Sequence, residues 1–131
     1  MEHKELMHLA CEARERAYAP YSGFAVGAAL LTKGGKVYTG CNIENAAFSP
    51  TNCAERTAFF KAVSEGEREF SAIAVTGGPA GKAPAEHCTP CGVCRQIMAE
   101  FCRGDFLILL GNEEMLTEHT LAELLPHSFS L

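Results

Sequence analysis

The chain has 131 residues, 47% of them hydrophobic, which predicts one domain over residues 1–131 with a single buried core. Its 16 Asp and Glu residues outnumber its 11 Lys and Arg residues, and the net charge of −5 opposes binding to polyanionic nucleic acid. The longest apolar run, 24–31, is shorter than the roughly 20 residues of a membrane helix, and the charged N-terminus does not resemble a secretory signal. We therefore expect a cytoplasmic protein with no nucleic-acid or membrane partner.

The first part of the sequence predicts a helix and a β-hairpin. Apolar residues recur at helical spacing over 3–18, and Pro20 and Gly23 are expected to end this helix. Segments 24–31 and 36–43 are rich in β-forming residues, and the glycine pair between them permits the positive φ angles of a tight turn. We expect these two segments to pair with each other.

The rest of the chain predicts alternating helices and strands. The predicted elements are a helix over 53–65, a strand over 70–76, a surface loop over 77–86, a helix over 91–102 and a buried strand over 106–110. The segment 115–125 fits either a short strand followed by a helical turn or one helix. Such alternation favours parallel crossovers and an α/β fold.

Two predicted helices begin beside cysteines. Asn52 is a good N-cap for the second helix, and Thr89 followed by Pro90 is a good start for the third. Because the N-terminus of a helix carries a partial positive charge, it favours the thiolate form of Cys53 and Cys91.

The seven cysteines favour free thiols and a metal site over a disulfide framework, because their number is odd and no export signal is visible. Cys53 lies two residues before Glu55, and Cys91 and Cys94 form a C-x-x-C pair. A structural zinc site has four protein ligands, whereas a catalytic site has three and leaves the fourth position to water or substrate. Three thiolates beside a carboxylate that need not bind the metal therefore predict one catalytic zinc ion per chain.

Three thiolates on a divalent zinc ion leave a net charge of −1, which weakens the metal as a Lewis acid. Arg56 is the candidate for offsetting this charge, because it is adjacent in sequence and can donate hydrogen bonds to a ligand sulfur.

A C-x-E segment followed by P-C-x-x-C, with the glutamate as acid and base, is the pattern of nucleobase deaminases. The chain resembles the small, three-cysteine, homotetrameric cytidine deaminases. The blocks that carry the resemblance are Tyr18-Ala19-Pro20-Tyr21-Ser22, Cys41-Asn42-Ile43-Glu44-Asn45-Ala46-Ala47, Cys53-Ala54-Glu55-Arg56-Thr57-Ala58 and Pro90-Cys91-Gly92-Val93-Cys94-Arg95-Gln96. The resemblance implies a three-layer helix/sheet/helix sandwich around a five-stranded mixed sheet.

The resemblance also implies hydrolytic deamination of cytidine and deoxycytidine, with Glu55 carrying protons. It further implies a homotetramer with shared active sites. The residues that it assigns to the nucleoside are Phe24, Asn42, Glu44, Ala54 and Phe129. Asn42 and Glu44 would bind the sugar hydroxyls, and Phe129 would reach the base from a neighbouring subunit.

Several alternatives remain open at this stage. Cys88 precedes Cys91 by three residues and could close a four-cysteine structural zinc site. Cys91 and Cys94 also match a dithiol redox motif, although that interpretation leaves Cys53 unexplained. Glu55 could belong to a helix capping box with Asn52 instead of acting in catalysis. Blasticidin S deaminase shares the C-A-E and P-C-x-x-C-R-Q motifs, so another aminopyrimidine nucleoside is a second possible substrate.

Overall fold

The computed structural model describes residues 1–84 and 87–131. Its elements are α1 (His3–Arg14), β1 (Phe24–Thr32), β2 (Val37–Cys41), α2 (Ala54–Ser64), β3 (Phe70–Pro79), α3 (Gly92–Phe101), β4 (Leu107–Gly111), β5 (Leu116–Thr120) and α4 (Leu121–Leu124). The strands form one sheet in the order β2-β1-β3-β4-β5, in which β3 and β4 are parallel and the other neighbouring pairs are antiparallel. The predicted α/β class with a five-stranded mixed sheet is confirmed.

Helices cover both faces of the sheet. Side chains alternate between the faces along the central strands, as the two-residue period of a strand requires. On one face, buried residues of α1 pack against Ala29, Ala72, Ala74 and Leu109. On the other face, α2, α3 and α4 pack against Ala28, Leu30, Ile73, Val75, Ile108 and Leu110. The result is the expected helix/sheet/helix sandwich, with α2 and α3 on the same side.

The first helix is shorter than predicted, because it ends at Arg14 and not near residue 18. The buried Arg14 guanidinium donates to the backbone oxygens of Ala25, Gly78 and Pro79, which lie at the start of β1 and the end of β3. The chain then leaves the helix so that the Tyr18 amide can donate to the carbonyl oxygen of Asn42 at 3.0 Å. Long-range contacts thus override the helical periodicity.

The predicted loop over 77–86 is wrong at its start, because β3 continues to Pro79 and pairs with β1 as far as Phe24. The lack of a side chain at Gly77 leaves room for its neighbours, since a Cβ there would lie 2.8 Å from the Cys88 sulfur and 3.1 Å from the Phe24 ring. The ambiguous segment 115–125 forms a strand and then a helical turn, which begins with a capping box between Thr120 and Glu123. Within the described ranges, no helix is long and apolar enough to cross a membrane.

Candidate active site

The cysteines of the two motifs are themselves the N-caps of α2 and α3. Cys53 precedes α2 and Cys91 precedes α3, both with extended backbone and neither with a side-chain capping hydrogen bond. The predicted caps Asn52 and Thr89 are therefore wrong. Asn52 and Ile43 exchange two backbone hydrogen bonds of 2.9 Å, which keeps Asn52 outside the helix. The thiols consequently lie at the positive ends of two helices.

Three thiols meet at these helix starts. The sulfur atoms of Cys53, Cys91 and Cys94 all lie within 4.8 Å of one another. The Cys53 and Cys91 sulfurs are 3.9 Å apart, and the Cys91 thiol donates to the Cys94 sulfur at 3.5 Å. Sulfurs about 2.3 Å from a tetrahedral zinc ion are separated by about 3.8 Å. The cluster therefore fits a zinc ion, and its three thiols leave one tetrahedral position for another ligand.

Cys88 does not belong to this cluster. Its side chain lies beside Gly77, where an added Cβ would contact the Cys88 sulfur at 2.8 Å and the Phe24 ring at 3.1 Å. This position argues against the closed four-cysteine site, because a structural zinc ion needs all four sulfurs around one centre.

Arg56 donates a hydrogen bond to the cluster, and its role toward a bound metal stays a prediction. Its Nη2 donates to the Cys53 sulfur at 3.2 Å, and this hydrogen bond raises the pKa of Arg56. The Nε of Arg56 is buried and has no hydrogen-bond partner among residues 1–84 and 87–131. The positively charged Arg56 guanidinium therefore lies next to the sulfurs, where three thiolates would concentrate negative charge.

The thiols of Cys53 and Cys94 have opposite pKa shifts. Hydrogen bonding with Cys94, followed by the Arg56 contact, lowers the pKa of Cys53 to about 5. The same contact with Cys53 and partial burial raise the pKa of Cys94. Cys53 is accordingly the first thiolate of the pair, and its charge opposes ionisation of the neighbouring sulfur.

Glu55 is buried in the first turn of α2, with 5% of its surface exposed. Burial raises its pKa to about 7, and the negative charge of Cys53 acts in the same direction. The N-cap of α2 is Cys53 and not Asn52, so Glu55 is only the second residue of the helix and the capping box between Asn52 and Glu55 is wrong. A buried carboxyl group that titrates near neutral pH can both accept and donate a proton.

The end of β2 fixes the start of α2. Gly40 lies against the helix, because a Cβ at this position would be 2.5 Å from the Ala54 oxygen and 2.7 Å from the Ala58 nitrogen. Thr57 adds a polar link, since its hydroxyl donates to the Cys41 carbonyl oxygen at 3.1 Å. The absence of a side chain at Gly40 thus sets how closely the helix that carries Cys53 and Glu55 approaches the sheet.

Asn42 and Glu44 follow β2. Asn42 contacts the first residues of β1, and Glu44 contacts the segment that leads into β1. Asn42 Oδ1 accepts from the Val26 amide at 2.8 Å, and Asn42 Nδ2 donates to the Phe24 carbonyl oxygen at 2.8 Å. Glu44 accepts from the backbone and hydroxyl of Ser22, and these bonds lower its pKa. The structure thereby brings together the backbone of Phe24 and the side chains of Asn42 and Glu44, whose roles toward a nucleoside stay predictions.

The other two residues assigned to the nucleoside differ in exposure. Ala54 is fully buried as the first residue of α2, while 69% of the Phe129 surface is exposed beyond α4. Phe129 thus has a large apolar surface available to another molecule.

A family model described as the cytidine and deoxycytidylate deaminase zinc-binding region matches residues 1–110. The chain belongs to this family. Cytidine deaminases of Sporosarcina psychrophila and Halalkalibacterium halodurans are 53% and 52% identical to it, and each match covers 99% of this chain and 93% or 96% of the relative. The crystal structure of cytidine deaminase from Burkholderia pseudomallei matches with a TM-score of 0.89 at 47% identity, over 98% of this chain and 100% of that one.

Membership in a zinc-binding deaminase family agrees with a three-cysteine cluster that can hold a zinc ion. Sequence reasoning gave no role to two polar residues near this site. Arg95 Nε donates to the Pro90 oxygen at 2.7 Å, just before Cys91, and its Nη1 donates to the Leu124 oxygen. Ser22 binds Glu44. Both lie in the motif blocks, but their partners are 5 to 29 residues away, so spacing alone could not identify them.

Proposed function

We propose that the chain is a zinc-dependent cytidine deaminase that converts cytidine and deoxycytidine to uridine and deoxyuridine with release of ammonia. The observation that carries the proposal is the cluster of Cys53, Cys91 and Cys94 with Glu55 buried beside it. The identity of 52–53% with cytidine deaminases over nearly the whole chain supports this substrate class.

Cys53, Cys91 and Cys94 would hold the zinc ion as thiolates. When bound, zinc supplies Lewis-acid activation of a water molecule. The hydrogen bonds from Cys94 and Arg56 favour the thiolate of Cys53, and the Arg56 bond also withdraws negative charge from the ligand set.

Glu55 would move both protons of the reaction. It takes a proton from water and delivers it to ring N3, and then carries the second proton to the amino group. The C4–O bond forms and the C4–N bond breaks, so one water and one cytidine give one uridine and one ammonia. The burial of Glu55 supports this role, because a desolvated carboxylate holds a proton more readily than an exposed one.

Phe24, Asn42, Glu44 and Ala54 would orient the nucleoside, with Asn42 and Glu44 toward the sugar. The support for Asn42 and Glu44 is that Asn42 bonds the β1 backbone at Phe24 and Val26, while Glu44 bonds Ser22 just before β1. Ala54 is the first residue of α2, next to Glu55. The Asn42 side chain makes two hydrogen bonds to the β1 backbone, so it also holds the start of the strand that contains Phe24.

We further propose a cytoplasmic homotetramer in which Phe129 contacts the base in a neighbouring subunit. Exposed aromatic side chains support an assembly, because large apolar surfaces tend to mark interaction sites. The exposed aromatics are Tyr18, Tyr21, Phe48, Phe60 and Phe129.

A deamination assay with metal analysis tests the function. Cytidine, deoxycytidine, free cytosine, blasticidin S and single-stranded DNA are compared by ultraviolet absorbance, and zinc per chain is measured in the same preparation. We expect turnover of the two cytosine nucleosides and little of the others. Preference for blasticidin S would move the assignment to another aminopyrimidine nucleoside.

Glu55→Gln separates the proton carrier from a structural residue, because the amide keeps the size of the side chain but cannot transfer the proton. We expect it to retain zinc and lose a factor of at least about 10² in kcat. Normal turnover by this variant would refute the role of Glu55, and a zinc-loaded wild-type protein without any deaminase activity would favour a structural zinc module.

A further inference from the structure

The hydroxyl of Ser22 lies between two residues that are assigned to the nucleoside. Ser22 Oγ donates to Glu44 Oε2 and accepts from the Phe24 amide at 3.0 Å. Glu44 Oε1 accepts from the backbone amides of Tyr21 at 2.9 Å and Ser22 at 3.1 Å. One serine therefore connects the Glu44 carboxylate to the start of β1.

The pattern of donors and acceptors fixes the direction of the hydroxyl. A serine hydroxyl has one proton to donate, and the Phe24 amide occupies an acceptor position on the same oxygen. The Ser22 proton is thereby directed to Glu44. These bonds also hold the pKa of Glu44 below its usual value, so the carboxylate acts as an acceptor.

Glu44 keeps limited capacity for a ligand. An ionised carboxylate accepts about four hydrogen bonds, and the contacts with Tyr21 and Ser22 use three of these positions. Oε1 has two donors, so the remaining position is on Oε2. Glu44 lines a surface cavity of about 400 Å³ together with Tyr21, Ser22, Asn45, Phe48 and Thr51.

We propose that Ser22 is a positioning residue for the nucleoside sugar: it orients the Glu44 carboxylate so that one acceptor position on Oε2 meets a sugar hydroxyl. This inference rests on the proposed function. It differs from a merely structural role for Ser22, because its effect depends on whether the substrate has the hydroxyl that Glu44 binds.

The test compares Ser22→Ala and Ser22→Thr on cytidine and on 2′,3′-dideoxycytidine, which lacks both sugar hydroxyls. Threonine keeps the hydroxyl and serves as the conservative variant. Ser64→Ala is the matched control, because Ser64 Oγ donates to the Lys61 carbonyl oxygen in its own helix.

We expect Ser22→Ala to lower kcat/KM for cytidine by about 5- to 20-fold, mostly through KM, because a bond to a charged acceptor is lost. The loss on dideoxycytidine should stay below about 2-fold, since that substrate offers Glu44 no hydroxyl. Ser22→Thr should restore most of the activity. In a Glu44→Ala background, Ser22→Ala should add little, since the residue it positions is absent.

Equal losses on the two substrates, or full additivity with Glu44→Ala, would overturn the proposal and leave Ser22 as a structural link in its loop. Calorimetric binding of uridine and 2′,3′-dideoxyuridine separates this failure from that of the proposed function. If the wild type does not turn over cytidine but Ser22→Ala still weakens uridine selectively, the deaminase proposal fails and the sugar contact stands. Unchanged uridine binding in Ser22→Ala would reject the contact.

Discussion

Gly40→Ala tests whether the close approach of β2 to α2 creates the metal centre. The added Cβ would lie 2.5 Å from the Ala54 oxygen and 2.7 Å from the Ala58 nitrogen, both of which are backbone atoms. Contacts below 3.0 Å essentially never occur for a real Cβ, so the helix must move by about 0.5 Å or more at Ala54. Ala54 is bonded in sequence to Cys53 and Glu55, so the displacement reaches a thiol of the cluster and the buried carboxylate directly.

Gly40→Ala should lower stability, activity and zinc affinity. Overpacking of this kind destabilises a protein by about 1 to 3 kcal/mol, which corresponds to a decrease in Tm of about 4 to 11 °C for a chain of this size. Activity should fall further, because a misplacement of about 1 Å at a reacting centre can cost on the order of 10²-fold. Zinc affinity should also decrease, since the three sulfurs no longer share one tetrahedron.

The assay measures Tm, zinc affinity by competition with a chromophoric chelator, and kcat/KM for cytidine. Gly34→Ala is the control, because a Cβ there has only the Thr32 hydroxyl oxygen at 3.8 Å and Gly34 does not adopt a positive φ. If Gly40→Ala matched the control in zinc affinity and activity, the close packing of β2 on α2 would not determine the positions of Cys53 and Glu55. A lower Tm with normal zinc affinity would restrict the effect of Gly40 to stability.

Four further outcomes are expected. Alanine at each clustered thiol should remove zinc in metal analysis, the positions being Cys53, Cys91 and Cys94. Cys88→Ala should retain zinc, and its loss there would restore the four-cysteine model. Arg56→Gln should weaken zinc binding by about 10- to 100-fold in chelator competition, while the exposed Arg68→Gln should not. Mixing inactive Glu55→Gln with impaired Phe129→Ala subunits should recover part of the activity, and no rescue despite subunit exchange would exclude a shared site.

The order of most elements could be predicted from local periodicity, but their ends could not. The first helix ends at Arg14, whose guanidinium bonds three carbonyl oxygens of β1 and β3, and the chain beyond it turns so that the Tyr18 amide reaches Asn42. No local sequence pattern contains these contacts. The glycines after Thr76 suggested a loop, yet they extend β3 because β1 continues to pair with it and Cys88 needs the space beside Gly77. In both places, distant contacts decide the local conformation.

The residues of the site could be predicted from the sequence more reliably than the N-cap residues of the helices that carry them. Cys53 and Glu55 are close in sequence, so their joint position at one helix start follows from spacing. The meeting of α2 with α3 depends on the sheet, and the sequence indicated it only indirectly, because three ligands of one zinc ion must share a centre. Asn52 is an excellent N-cap by residue type, but its backbone pairs with Ile43, and its side chain donates to the Thr57 hydroxyl at 3.1 Å. N-cap propensity ranks residue types, but it does not account for tertiary hydrogen bonds that occupy the same residue.

The use of thiols as N-caps couples helix stability to the metal. A side-chain cap typically contributes about 1 kcal/mol to stability, and neither α2 nor α3 has one. Thiolates at Cys53 and Cys91 place negative charge at the helix starts, a favourable interaction of about 0.3 to 1 kcal/mol each at exposed positions. A zinc ion would hold both thiols deprotonated and in place, because binding requires the thiolate. The residues that complete the catalytic centre therefore also replace the missing caps, so the two helix starts and the metal centre stabilise one another.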